Sequence, residues 1–206
     1  MKLSIFRRFF LKTKLPYLKD IEGFLSQNEA YVLYKIASTL QPNSIVIEIG
    51  SWKGKSTYCI AKGLNRSSRI FAVDPFDTSG DIDAKKEYDK NKGTLSLIFQ
   101  FWNNMIKHHV TNKVIPCIGF ANEFNDFLPS ANFIFIDGDH SIDGCENDFL
   151  LYRDKLTGEK LLAFHDYYPS RKDLGPTYVI DKYLLNNEDW EVVTIQDTIA
   201  VFRKKA

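Results

Sequence analysis

Between Ser44 and Leu64 the chain reads SIVIEIGSWKGKSTYCIAKGL, and its periodicity changes once along the way. Ile45-Val46-Ile47-Glu48-Ile49 is a short β-branched run that stops at Gly50. A run of this kind, bounded by turn residues, predicts a strand buried on both faces. Beyond Gly54, residues Thr57, Ile60, Ala61 and Leu64 recur at helical intervals, and Asn65 supplies a stop. Strand, tight glycine turn and helix make the opening unit of a doubly wound α/β domain. In such sheets ligands lie beyond the carboxyl ends of the strands, where helix N-termini also point.

Three kinds of ligand compete for the turn. A phosphate-cradling loop needs GxxxxGK[ST]; Gly50-Ser51-Trp52-Lys53-Gly54-Lys55-Ser56 is one residue short, so its amides cannot ring a phosphate. A dinucleotide turn needs GxGxxG, and Trp52 stands where the second glycine would admit a pyrophosphate. A nucleoside without phosphates remains. Asp74 ends the next predicted strand, Arg69 to Val73, and can accept from both ribose hydroxyls. The alternative is an ordinary βαβ turn that binds nothing.

The 206 residues suffice for one well-buried core, and a formal net charge of +1 gives no case for a nucleic-acid partner. Cys59, Cys117 and Cys145 are odd in number and unclustered, which suits reduced core thiols in a cytoplasmic setting. No apolar run has the length of a membrane span. The oddity is the segment 1–25, expected as a basic amphipathic arm before a domain at 26–206. Lys2, Arg7, Arg8, Lys12 and Lys14 alternate there with Leu3, Ile5, Phe6, Phe9, Phe10 and Leu11. Such an arm lies on an anionic membrane surface, or packs on its own domain or a second subunit. Packing is the favoured reading, because so short a segment gives only modest membrane affinity.

Ser26-Gln27-Asn28-Glu29 has the spacing of a capping box, with Ala30, Leu33, Ala37 and Leu40 following on one helical face. From Asp74 to Thr94 the chain is polar and charged, long for a βα connection, and placed to cover the site as a lid or to be a solvated insertion. A helix over Leu95–His108 precedes a strand, Val114 to Ile118, whose Pro116 predicts a sheet edge. His108 and His109 are expected to serve the negative pole of that helix. Ala121-Asn122-Glu123 follow the strand, where topology places an adenine ring.

Phe133 to Ile136 is a further buried strand, and it delivers Asp137-Gly138-Asp139-His140. Ile142, Cys145, Phe149, Tyr152 and Leu156 then mark a helix, with Gly158 beyond its end. Lys160 to Phe164 predicts the next strand, which delivers His165-Asp166. Neighbouring parallel strands are about 4.8 Å apart, so Asp137, His165 and Asp166 share one rim and form a candidate divalent-metal site. Carboxylates at strand ends also cap helices, the role expected of Asp143.

The glycine turn, with Glu48 and Asp74, resembles the opening motifs of class I S-adenosylmethionine (SAM)-dependent methyltransferases. The later motifs, DGDH followed by HD, resemble the metal-dependent O-methyltransferase branch that includes sugar O-methyltransferases and cephalosporin hydroxylase-like proteins. The likeness spans Glu22 to Lys204. It implies a Rossmann-like α/β fold, with a mostly parallel seven-stranded sheet, the last strand antiparallel and helices on both faces. It implies SAM held around Glu48, Gly50, Ser51, Gly54, Ser56, Asp74, Ala121 and Asp137. It implies metal ligation by Asp137 and Asp166. His165 replaces an aspartate of the catechol-type enzymes, so magnesium competes with manganese, iron or zinc, and His165 is either a ligand or a second base. His140 matches the basic residue that takes the substrate proton, with Asp139 as its rival.

Tyr167 to Gly175 makes a loop at the same rim, Pro176 opens a last helix, and two β-rich runs flank Gln196-Asp197 as an antiparallel hairpin. The expected activity is O-methylation of a small-molecule hydroxyl, on a sugar or glycosylated metabolite, by an enzyme free to self-associate. Two other readings stay open: an iron hydroxylase using His140, His165 and a carboxylate, and a catalytically silent SAM-binding scaffold.

Overall fold

The computed structural model describes residues 5–79 and 85–205. Lys2 and Leu3 of the arm, and positions 80–84 of the long connection, lie outside the described residues. Seven strands form one sheet: β1 (Ile45–Ile49), β2 (Arg69–Asp74), β3 (Val114–Ile118), β4 (Ala131–Ile136), β5 (Leu156–Phe164), β6 (Trp190–Gln196) and β7 (Ile199–Lys204). Their spatial order is β3-β2-β1-β4-β5-β7-β6. Neighbours from β3 to β5 pair in parallel, and β7 runs antiparallel to both β5 and β6. The order reverses beside β1, which puts the carboxyl ends of β1 and β4 at the topological switch point.

The helices are α1 (Ile5–Lys14), α2 (Gln27–Thr39), α3 (Lys55–Gly63), α4 (Lys85–Lys92), α5 (Leu97–Lys107), α6 (Ala121–Phe124), α7 (Ile142–Tyr152) and α8 (Gly175–Tyr183). Period-two alternation in β4 divides the core between them. Phe133 and Phe135 face a layer built by α2, α3 and α5, while Ile134 and Ile136 face α6, α7 and α8. Leu11, Leu15, Leu18, Ile21 and Leu25 are buried in the first layer, so the described part of the 1–25 segment packs on the domain. The three cysteines are buried and free. No helix among the described residues is long and apolar enough to cross a membrane.

Several local expectations change. The polar stretch after Asp74 contains the helix α4. The helix expected to reach Leu156 ends at Tyr152, and Leu156 opens β5 opposite Ala131. Gly158 at φ 58° and Lys160 at φ 48° lie inside that strand, where its register with β4 shifts. Pro116 does sit on an edge strand, paired only with β2. Ser141, not Asp143, caps α7 by accepting from the Gly144 amide. His108 does not serve as a charge at its helix end. It is buried against Tyr17 and Tyr58, burial lowers its pKa, and neither ring nitrogen has a hydrogen-bond partner among the described residues, so the ring acts as packing.

Candidate active site

The loop after β1 is shaped by one close approach. A Cβ on Gly50 would stand 2.0 Å from the Asp137 carbonyl oxygen, and its φ of 85° favours glycine independently. This bare backbone lets the ends of β1 and β4 meet. Gly54, at φ 86°, opens α3 and lies against Phe101 and Met105 of α5, so its role is to seat the helix. Glu48 is fully buried beneath the turn, where Ser51 and Thr57 donate their hydroxyls to its Oε2. It buttresses the loop and is absent from the cavity wall. Burial raises its carboxyl to about 7 against the lowering effect of Ser56, Thr57 and Ser51.

Above the turn is a cavity of about 630 Å³. Gly50, Ser51, Ser56, Asp74, Ala121 and Asp137 line it, together with Trp52, Gly138, Asp148 and Leu151. Asp74 Oδ2 accepts from the Ser51 and Trp52 amides at 2.8 Å each, and Oδ1 from the Phe76 amide at 2.6 Å. Burial nevertheless holds its pKa above the ordinary value. Asp74 thus closes the glycine turn while facing the cavity, which leaves its remaining lone pairs for a ligand. Lys53 is buried within the turn, and its Nζ reaches Glu22 Oε2 at 2.5 Å and the Asn91 carbonyl of α4 at 2.8 Å. Phe24, Trp52 and Tyr88 cluster at the mouth with ring centroids 5.0–6.3 Å apart.

At the far side, Asp137, His140 and Asp166 bring ligand atoms within 4.8 Å of one another. His140 Nε2 is 2.9 Å from Asp166 Oδ2 and 3.9 Å from Asp137 Oδ1. Two carboxylates and an imidazole open to the cavity suit a divalent cation. Asp139 also lines the cavity, its Oδ1 accepting from the Ser141 amide at the start of α7. His165 lies against the same two carboxylates. Its Nδ1 lies 3.1 Å from both Asp137 Oδ1 and Asp166 Oδ2, and its Nε2 lies 3.4 Å from Glu29 Oε2. Burial disfavours its charge, but the surrounding carboxylates outweigh this and hold the imidazolium well above its usual range. In this state the ring donates to the carboxylates around it.

Glu29 is the residue that sequence reasoning missed at this site. Its capping box forms, with the Ser26 side chain accepting from the Glu29 amide and Glu29 Oε2 accepting from the Ser26 amide. The same carboxylate also faces His165, and its Oε1 accepts from the Thr198 amide and hydroxyl at 2.9 and 2.6 Å. Burial would raise its pKa; these hydrogen bonds overcome that and bring it down to about 2. For Asp166, burial is likewise outweighed by His140 and His165, which lower its pKa.

A second, more open cavity of about 810 Å³ adjoins the first. Phe24, Tyr88, His140, His165 and Asp166 border both. Ser26, Ser141, Tyr168, Arg171, Asp173, Asp197 and Thr198 complete its wall.

Fold and site together define a class I SAM-dependent methyltransferase. The chain belongs to the Methyltransferase domain family, which matches residues 47–167, more than half its length. It is 23% identical over 161 residues to the uncharacterized protein R132 of Acanthamoeba polyphaga mimivirus, covering 77% of this chain and 68% of that one. Its fold is similar to that of cofactor-bound Rv0187 from MTB, with a TM-score of 0.68, 13% identity and coverage of 100% and 99% of the two chains. It is also similar to the O-methyltransferase TomG from Streptomyces achromogenes, solved with SAM, with a TM-score of 0.66, 14% identity and coverage of 100% and 92%.

Proposed function

We propose that the enzyme transfers a methyl group from SAM to a hydroxyl oxygen of a sugar or sugar-bearing small molecule, with help from a divalent cation. The observation that carries this reading is that His140 and Asp166 border both cavities, with Asp137 beside them in the first. One cavity then takes the donor and the other the acceptor. SAM would bring a methyl carbon that is already strongly electrophilic, and a cation held by Asp137 and Asp166 would lower the pKa of an acceptor hydroxyl.

The remaining work falls to the chain itself. The Gly50–Ser51 turn and Asp74 hold the nucleoside side, and Ser56 and Ala121 line the same chamber. The His165 imidazolium, backed by Glu29, keeps the Asp137 and Asp166 carboxylates oriented. His140 is the third ligand or the group that takes the acceptor proton. Serine, threonine, aspartate and arginine groups beside Phe24, Tyr88 and Tyr168 suit a ring with many hydroxyls, which hydrogen-bonds at its edge and packs its C–H face on aromatics.

Asp137→Ala is expected to abolish transfer and Mn²⁺ binding while leaving S-adenosylhomocysteine (SAH) affinity within a few-fold, as isothermal titration would measure. Near-normal turnover of that variant in chelator would reject the metal role. His140→Ala separates its two roles, because loss of a ligand weakens Mn²⁺ binding whereas loss of a base leaves it intact and removes turnover. Product analysis with sugar-bearing and phenolic acceptors tests the substrate class; turnover confined to phenols rejects the carbohydrate reading.

A further inference from the structure

The helix α7 descends from the catalytic rim and ends at Tyr152, whose hydroxyl donates to the Ala121 carbonyl at 2.7 Å. That bond ties the helix to the start of α6. Asp148 lies four residues earlier, one turn nearer the rim on the same face. It lines the donor cavity with Ala121, Asn122 and Gly138. The lack of a side chain at Gly138 makes room for it, since a Cβ there would stand 3.3 Å from Asp148 Oδ2. Among the described residues, no donor reaches the Asp148 carboxyl group. Burial, with Asp139 adding to it, pushes this carboxyl up to about 7.

A half-buried acid without a partner weakens the fold. Such a residue makes sense where a ligand provides the missing partner. The other parts of the cavity have occupants by chemistry: the acid–histidine cluster adjoins the acceptor, and Asp74 ends the strand beside the glycine turn. The wall left over is the one formed by Ala121 and Asn122 on one side and Asp148 on the other. In SAM the adenine is attached to the ribose away from the sulfonium, so this wall receives the base.

Resting on the reading of SAM as methyl donor, we propose that Asp148 recognises adenine, its carboxyl accepting a hydrogen from the exocyclic N6 amino group. In the carboxylic acid form it also donates to the adjacent ring nitrogen N1, giving a two-point contact.

The test is titration calorimetry of the full-length protein with SAH and with its 6-deamino (purine) analogue, which lacks the donor hydrogens and adds no bulk. The wild type is expected to prefer SAH by roughly ten-fold, the worth of one hydrogen bond to a carboxyl group. Asp148→Ala should lose that preference, binding both compounds within about two-fold of each other, because only the contact with N6 distinguishes them. Asp148→Asn, whose side-chain oxygen still accepts, should keep part of it. Unliganded Asp148→Ala should melt no lower than the wild type, since an unpartnered acid has been removed. The proposal is overturned if Asp148→Ala keeps the full preference, or if it weakens both compounds equally while lowering the melting temperature. A wild type that binds no SAH overturns the donor assignment as well, which sets that failure apart from failure of Asp148 alone.

Discussion

Buried acids govern how single residues behave in this protein. Glu48 has a folded-state pKa near 7 against an ordinary glutamate value of 4.5, so between those values the folded chain binds more protons than the unfolded one. Its contribution is complete below about pH 4.5 and is lost as pH rises through 7, for a total of about 3 kcal/mol. Glu48→Gln should therefore flatten the fall in stability between pH 5 and 8 that urea titrations of the wild type will show. Glu29 is the opposite case, a depressed acid beside a buried imidazolium. Removing it strands the His165 charge among fewer partners, and Glu29→Ala is expected to cost roughly 3 kcal/mol in the same titrations. A loss below about 0.5 kcal/mol would mean that the ion pair contributes nothing net.

Among the elements, the β1–α3 turn carries the most constraint. A methyl group at Gly50 meets the Asp137 carbonyl at 2.0 Å, so Gly50→Ala must part β1 from β4 or unfold the rim. The expected outcome is a fall of several degrees in melting temperature with loss of SAH binding; unchanged binding would show that the rim tolerates the displacement. Most elements were legible because their signals are local. The β-branched run to Ile49, the capping box at Ser26 and the hairpin around Asp197 can each be read within a few residues. The end of α7 was not, since Leu156 continues the spacing of Tyr152 and Gly158 imitates a helix stop. What decides it is pairing with Ala131, a contact made across the sheet. The site divides similarly. Asp137 and Asp166 were legible as strand-end acids, whereas the approach of Glu29 to His165 was not, because nothing in the capping spacing signals that encounter.

For the molecule as a whole, the segment before α2 is part of the core. Leu11, Leu15, Leu18, Ile21 and Leu25 are all buried. At roughly 1.5–3 kcal/mol for each apolar side chain, their combined burial rivals the net stability of an ordinary domain. Deleting residues 1–25 should yield a protein that is insoluble or lacks a cooperative thermal transition, as calorimetry would report. A soluble truncated form with a sharp transition would make the segment an appendage. The deletion also removes Glu22, the partner of Lys53 within the glycine turn.

Glu29 and Thr198 clasp each other across 169 positions of sequence, over the ring of His165. During synthesis the floor of the reaction chamber stays incomplete until the final hairpin has emerged. Prematurely terminated products can carry every strand-end acid and still lack the balanced charge that holds those acids in place. Formation of the hairpin and completion of the catalytic chamber are thus one event.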